Sequence, residues 1–187
     1  MRSLQSLLLV LIFSAVAISQ NKVIGTVNKS SAYCGGAYPG EEAIENIKKP
    51  RPFPLKRLYI KQGRENDFSN PVVLEFRSDS AGNFSISLPL GEYCIIDDSK
   101  KNKSSYENIL KRYAKGTENN TAVDRNCLRN WFRTPELVFT VVKAGQQNEV
   151  TPNKVNILFT EKCGWDQVPC STWIGSLPPS APPRHNE

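Results

Sequence analysis

The residues best suited to chemistry in this chain are five cysteines, at positions 34, 94, 127, 163 and 170. In an oxidising compartment four of them can form two disulfides and leave one thiol, and the sequence does not choose among the pairings. A reactive thiol at Cys34 or Cys94 is the alternative, but the chain has no Cys-x-x-Cys motif. We therefore expect structural disulfides among Cys34, Cys94, Cys127, Cys163 and Cys170, with a thiol-dependent enzyme of unfamiliar type as the rival hypothesis.

The other residue types that serve catalysis are poorly placed. The single histidine, His185, lies three residues from the end, where nothing would hold it against a nucleophile. Glu41–Glu42 and Asp97–Asp98 are adjacent carboxylates, and neighbours on an extended chain point to opposite faces. Asp79 is expected to cap its own turn rather than to bind calcium. We expect no catalytic residues, no metal site and no cofactor.

Aromatic residues in loops offer a better functional lead. Tyr33 and Tyr38 lie in a Gly- and Pro-rich loop, and Trp165 and Trp173 lie near the C-terminus. Exposed aromatic rings can bind sugars or peptides through their faces. Trp131, in contrast, has the spacing of a helix face and is expected in the core.

The first residues have the layout of a secretory signal. Arg2 precedes an apolar run from Leu7 to Val16, and small residues follow as far as Ser19. We predict a signal peptide over 1–19 and an exported protein, periplasmic or extracellular, with no transmembrane segment after cleavage, since the apolar run is too short to span a membrane.

The formal net charge of the chain is +6. Nucleic acid is not an expected partner of an exported chain, so this charge would serve solubility or weak attraction to an anionic surface.

The rest of the chain fits one domain over 20–173, followed by a Pro-rich tail over 174–187. Short alternating segments bounded by turn residues predict an antiparallel β-sandwich of about seven strands. The Gly/Pro-rich connection that begins at Cys34 is expected to be extended. The predicted strands are Lys22–Asn28, Leu55–Lys61, Val72–Arg77, Phe84–Leu88, Tyr93–Asp97, Glu136–Val142 and Lys154–Glu161.

Two local features refine this outline. Pro89-Leu90-Gly91 joins the fourth and fifth strands, and we predict a hairpin there. A helical insertion is predicted at about 104–133, with a capping box at Ser104-x-x-Glu107 and a second helix beginning at Thr121-x-x-Asp124.

Several of these segments resemble a known domain. Gly25-x-Val27, Pro54 ahead of Leu58-Tyr59-Ile60, Asp79-x-x-Gly82-x-Phe84 and Leu88-Pro89-x-Gly91-x-Tyr93 resemble the carboxypeptidase regulatory-like, or transthyretin-like (prealbumin-like), sandwich. The resemblance covers roughly residues 22–97 and implies a transthyretin-like fold. It carries no catalytic machinery over, because the histidines of the zinc carboxypeptidases and of the hydroxyisourate hydrolases have no counterpart here.

A narrower resemblance extends along the chain. Tyr33-Cys34-Gly35-Gly36-Ala37, Cys127-x-x-x-Trp131 and Pro169-Cys170 are similar to segments of a group of small exported proteins of Bacteroidetes-type bacteria, which implies no particular activity. The sequence as a whole predicts a non-catalytic module for binding or structural support at the cell envelope, with a protein or carbohydrate partner. An adhesin-like or transport accessory subunit, whose exposed edge strand pairs with a partner, is a further alternative.

Overall fold

The computed structural model describes residues 21–35, 39–143, 153–163 and 168–175. The predicted signal peptide and nearly all of the Pro-rich tail, with His185, lie outside these residues. The described chain is mainly β, with two sheets packed face to face and short helices inserted between strands, as the sequence predicts. No helix in the described part is both long and apolar enough to cross a membrane.

Eight strands and three helices follow one another along the described residues. The strands are β1 (Asn21–Ser31), β2 (Arg51–Pro52), β3 (Arg57–Gln62), β4 (Val72–Arg77), β5 (Asn83–Leu88), β6 (Gly91–Ile96), β7 (Leu137–Val141) and β8 (Lys154–Glu161). The helices are α1 (Glu41–Lys48), α2 (Lys103–Tyr113) and α3 (Arg125–Arg133), with a 3₁₀ turn at Asp98–Lys100. The seven predicted strands are all present, and the eighth is the two-residue β2.

The connection after Cys34 is not extended throughout, as the sequence analysis expects, because it contains α1. This helix has Glu41 and Glu42 in its first turn and Lys48 in its last. Acidic residues near the N-terminus and a basic residue near the C-terminus complement the helix dipole. That charge order was the signal for a helix in this segment.

The first sheet, sheet A, is built around β1. Strands β5 and β2 pair with successive parts of one edge of β1, and β8 pairs with the other edge. The β1–β8 pairing is parallel, from Ile24 opposite Lys154 to Ser31 opposite Glu161, so the sandwich is not wholly antiparallel. Because nearly the whole domain separates these two strands in sequence, no tight turn imposes an antiparallel arrangement.

The second sheet, sheet B, has the order β4-β3-β6-β7 and is antiparallel throughout. The predicted hairpin between β5 and β6 is wrong, because β5 pairs with β1 whereas β6 pairs with β3 and β7. The Pro89-Leu90 turn therefore carries the chain from one sheet to the other. The Tyr93 hydroxyl closes the turn by donating to the Pro89 carbonyl at 3.2 Å.

The turn before β5 is capped as predicted. Asp79 Oδ1 accepts hydrogen bonds from the backbone N–H of Ala81 at 2.9 Å and of Asn83 at 2.8 Å. Gly82 in this turn has φ +79°, and a Cβ there would lie 2.6 Å from the Val27 carbonyl oxygen. The turn thus needs glycine for both its backbone conformation and its close contact with β1.

The two middle strands of sheet B, β3 and β6, are buried on both faces. Leu58 and Ile60 of β3 belong to the core between the sheets, while the alternate residues Tyr59 and Lys61 are also at most 2 % exposed. Strands covered on both faces show an unbroken buried run instead of alternation. Leu128 and Phe132 of α3 are fully buried, as expected for a helix that packs on the sheet. The helical insertion therefore rests on the outer surface of sheet B.

Candidate binding site

Both helices of the insertion begin at side-chain caps. The Asn102 Oδ1 atom accepts from the Ser105 N–H at 2.9 Å at the start of α2, and the Asp124 Oδ1 atom accepts from the Cys127 N–H at 2.6 Å at the start of α3. The predicted capping box at Ser104 and Glu107 is wrong, because the cap is Asn102, two residues before Ser104, and Glu107 pairs with Lys103 instead. Asn and Asp are preferred caps for the same reason as Ser, since their oxygens satisfy an otherwise unpaired N–H group.

Helix α3 places Trp131 at the surface of the insertion. Leu128 and Phe132, four residues apart, form the buried stripe of α3, and the Phe132 ring packs against the rings of Phe68 and Tyr106. Trp131 lies beside this stripe and is half-buried, so its expected place in the core is wrong. The neighbouring Cys127, one turn before Trp131, forms a disulfide with Cys170. The Cys127–Trp131 face of the helix therefore meets the C-terminal segment.

The C-terminal segment is fixed against the insertion. Besides the disulfide, the Asp124 N–H donates to the Cys170 carbonyl at 3.0 Å and the Thr121 N–H donates to the Thr172 carbonyl at 2.9 Å. Residues 168–169, directly before Cys170, are held next to α3 by these links. They form one wall of a cleft.

The cleft has a volume of 370 Å³ and three walls, from α2, α3 and the tethered segment. Its apolar surface comes from aromatic and aliphatic side chains on all three walls. Polar groups line its rim. The lining residues are Ile109, Tyr113, Trp131, Val168 and Pro169, with Ser99, Asn108 and Arg112. Apolar walls with a few polar groups are typical of ligand sites.

Two cations near the cleft differ in how their charge is balanced. Lys100 Nζ lies 4.8 Å from the Trp131 ring centroid, but it is bound to Glu136 at 2.8 Å and to the Thr134 carbonyl at 2.8 Å. The Arg112 guanidinium lies 5.4 Å from the Tyr113 ring centroid and is exposed, and no described carboxylate pairs with it. Arg112 is therefore the cation available to a ligand.

The two described members of the predicted binding aromatics, Tyr33 and Trp173, do not line the cleft. Tyr33 is 36 % exposed and directly precedes Cys34, which is bonded to Cys163. Trp173 is half-buried, forms a bridge with Asn120, and has its indole N–H buried without a described acceptor. Tyr38 and Trp165 lie outside the described residues. Among the described residues, the tryptophan that lines the cleft is Trp131.

The cysteines divide as two disulfides, Cys34–Cys163 and Cys127–Cys170, and one thiol, Cys94. Disulfide bonding is thus confirmed. Cys94 is 0 % exposed and lies opposite Lys61 in sheet B. Burial raises the pKa of the Cys94 thiol, and burial also lowers the pKa of the Lys61 ammonium group. Neither Cys34 nor Cys94 presents a thiolate to solvent in this structure.

The paired carboxylates do not converge on one point. Asp97 binds Lys56 Nζ at 2.6 Å, whereas Asp98 accepts from the Tyr59 hydroxyl at 2.6 Å. Within the described ranges, no three His, Cys, Asp or Glu residues are grouped as a metal site would require.

A larger depression of 680 Å³ lies between Phe53 and Phe159 at the end of the sandwich. Lys56 faces these rings, but its charge is balanced by Asp97. The cleft beside Trp131 is the better candidate, because its rim cation has no such partner. No family model, curated protein or solved structure matches this chain. The transthyretin-like resemblance stays a prediction.

Proposed function

We propose that this chain is a non-catalytic binding module of the cell envelope and that its ligand occupies the cleft beside Trp131. The observation that carries the proposal is the half-buried Trp131 ring, held at the surface on a three-walled cleft. Large aromatic rings with one accessible part are common anchors in recognition sites. The strands of the sandwich serve as the support for this surface.

The cleft is pre-organised, which favours binding. The Cys127–Cys170 disulfide fixes the segment wall, and the ion pair of Lys100 with Glu136 fixes the cation that lies against Trp131. A site whose side chains are already ordered loses less conformational entropy when the ligand binds.

The cleft residues support binding rather than catalysis. Its ionisable lining groups among the described residues are Arg112 and Tyr113. General acid–base catalysis most often uses histidine or a carboxylate, and the described lining contains neither. Export, with a signal peptide over 1–19 and a periplasmic or extracellular location, belongs to the same proposal. Two disulfides are compatible with that location.

The proposal is tested by probing saccharide and peptide arrays with the mature protein and with two variants. Trp131→Ala removes the anchor, and Tyr33→Ala removes an exposed aromatic ring outside the cleft. We expect at least one ligand class to bind the unaltered protein and the Tyr33 variant and to lose at least about tenfold in affinity with the Trp131 variant. Binding that survives in a folded Trp131→Ala protein would contradict the proposal.

A further inference from the structure

The positive charge of the chain is concentrated in the helical insertion. Residues 103–133, from the start of α2 to the end of α3, contain seven Lys and Arg against three Asp and Glu, a net charge of +4. The rest of the chain holds seventeen Lys and Arg against fifteen Asp and Glu, so the insertion accounts for four of the six formal net charges of the chain. A charge that served solubility alone would have no reason to collect on the one layer that also holds the cleft.

From this distribution and the cleft residues, we propose that the ligand is a saccharide that carries carboxylate groups, such as a uronic acid polymer. This inference rests on the proposed function and names its ligand class. The excess of basic residues on the insertion would attract a polyanion to this face of the molecule. Arg112, at the rim, would then bind one carboxylate.

The chemistry of the cleft distinguishes a sugar ring from a simple anion. Trp131 and Tyr113 provide aromatic surface for the apolar faces of a ring. Asn108 and Ser99 provide an amide and a hydroxyl, which can both donate to and accept from ring hydroxyl groups. The planar guanidinium of Arg112 matches a carboxylate with two parallel hydrogen bonds.

A peptide ligand fits less well. One common mode of peptide recognition is pairing with a strand edge, which is not available in a cleft whose walls are two helices and a segment that contains Pro169. Proline lacks a backbone N–H, so this wall offers few main-chain partners. Lys100 cannot replace Arg112 as the anion-binding group, because Glu136 already balances its charge.

Three polymers separate the contributions of ring and charge. Polygalacturonate has both sugar rings and carboxylates, dextran has rings without charge, and polyglutamate has carboxylates without rings. Each is titrated into the mature protein and into Trp131→Ala, Arg112→Gln and Arg77→Gln, with folding checked by circular dichroism. Arg77 is an exposed arginine of β4 outside the cleft, so its variant is matched in charge to Arg112→Gln.

We expect polygalacturonate to bind more tightly than either other polymer. Arg112→Gln and Trp131→Ala should each weaken it at least about tenfold, and Arg77→Gln less than about twofold, since only the first two residues line the cleft. The inference would be overturned if polyglutamate or dextran bound as tightly as polygalacturonate. It would also be overturned if Arg77→Gln weakened the binding of polygalacturonate as much as Arg112→Gln does. If polygalacturonate does not bind but another array ligand binds and loses affinity in Trp131→Ala, the inference about the ligand class is wrong and the proposed function stands. If nothing binds through Trp131, both fall.

Discussion

The Cys127–Cys170 disulfide should support both the stability of the chain and the shape of the cleft. The bond joins residues 43 positions apart. Closing a loop of that length removes chain entropy from the unfolded state equivalent to about 4 kcal/mol at 25 °C. That figure is a large part of the ~5–15 kcal/mol by which domains are usually stable. Replacing both cysteines with serine should therefore lower the free energy of unfolding by up to about 4 kcal/mol.

The control for this variant is a second double variant, in which Cys34 and Cys163 are replaced by serine. Their bond spans 129 positions, for which the same relation gives about 5 kcal/mol. Urea denaturation measures the two losses, and titration with the cleft ligand at low temperature measures affinity in the folded fraction. Because residues 168–169 line the cleft and 34 and 163 do not, only the Cys127/Cys170 variant should lose affinity. Unchanged affinity in that variant, once folded, would refute the role of the tethered wall.

Four other predictions follow from the described contacts. Denatured, unreduced protein should show one thiol per chain, from Cys94, and the native protein should react slowly because this thiol is buried; two or more thiols would contradict the pairing. Gly82→Ala should cost about 1–3 kcal/mol by urea denaturation, and more than Gly40→Ala, which shares a positive φ but has open space around its Cβ position. Lys100→Met should cost about 1.5–3 kcal/mol by the same assay, since the partly buried Glu136 would lose its ion pair and keep only the hydrogen bond from the Asp97 backbone N–H. Burial opposes ionisation of Asp97, but hydrogen bonds from Lys56 and Ser99 hold the pKa of its carboxyl group below the ordinary 3.8. The free energy of unfolding should therefore fall as the pH drops through this lowered pKa. In acid denaturation, Asp97→Asn should make that fall less steep.

Strand positions were readable from the sequence because alternation reports burial. The predicted bounds of β4 and β8 coincide with the observed ones. Strand partners were not readable, because a turn such as Pro89-Leu90 has the same composition whether it joins neighbours in one sheet or crosses between two. The parallel alignment of β8 with β1 likewise depends on contacts between residues far apart in sequence.

The cleft could not be predicted from the sequence for a similar reason. The four-residue spacing of Cys127 and Trp131 correctly placed them on one helix face, but Leu128 and Phe132 form the neighbouring stripe, and only the position of the sheet decides which stripe is buried. The wall at residues 168–169 depends on the pairing of Cys127 with Cys170, which five cysteines leave open.

The central claim, that the cleft between α2, α3 and the tethered segment binds a ligand, is tested most directly by nuclear magnetic resonance. The mature protein is titrated with oligogalacturonate, and the Trp131 indole N–H signal is assigned with a Trp131→Phe variant. The account predicts a saturable shift of this signal and of the Asn108 amide, while the exposed Ser85 amide on sheet A does not move. Saturable shifts confined to sheet A, with the Trp131 signal unchanged, would contradict it.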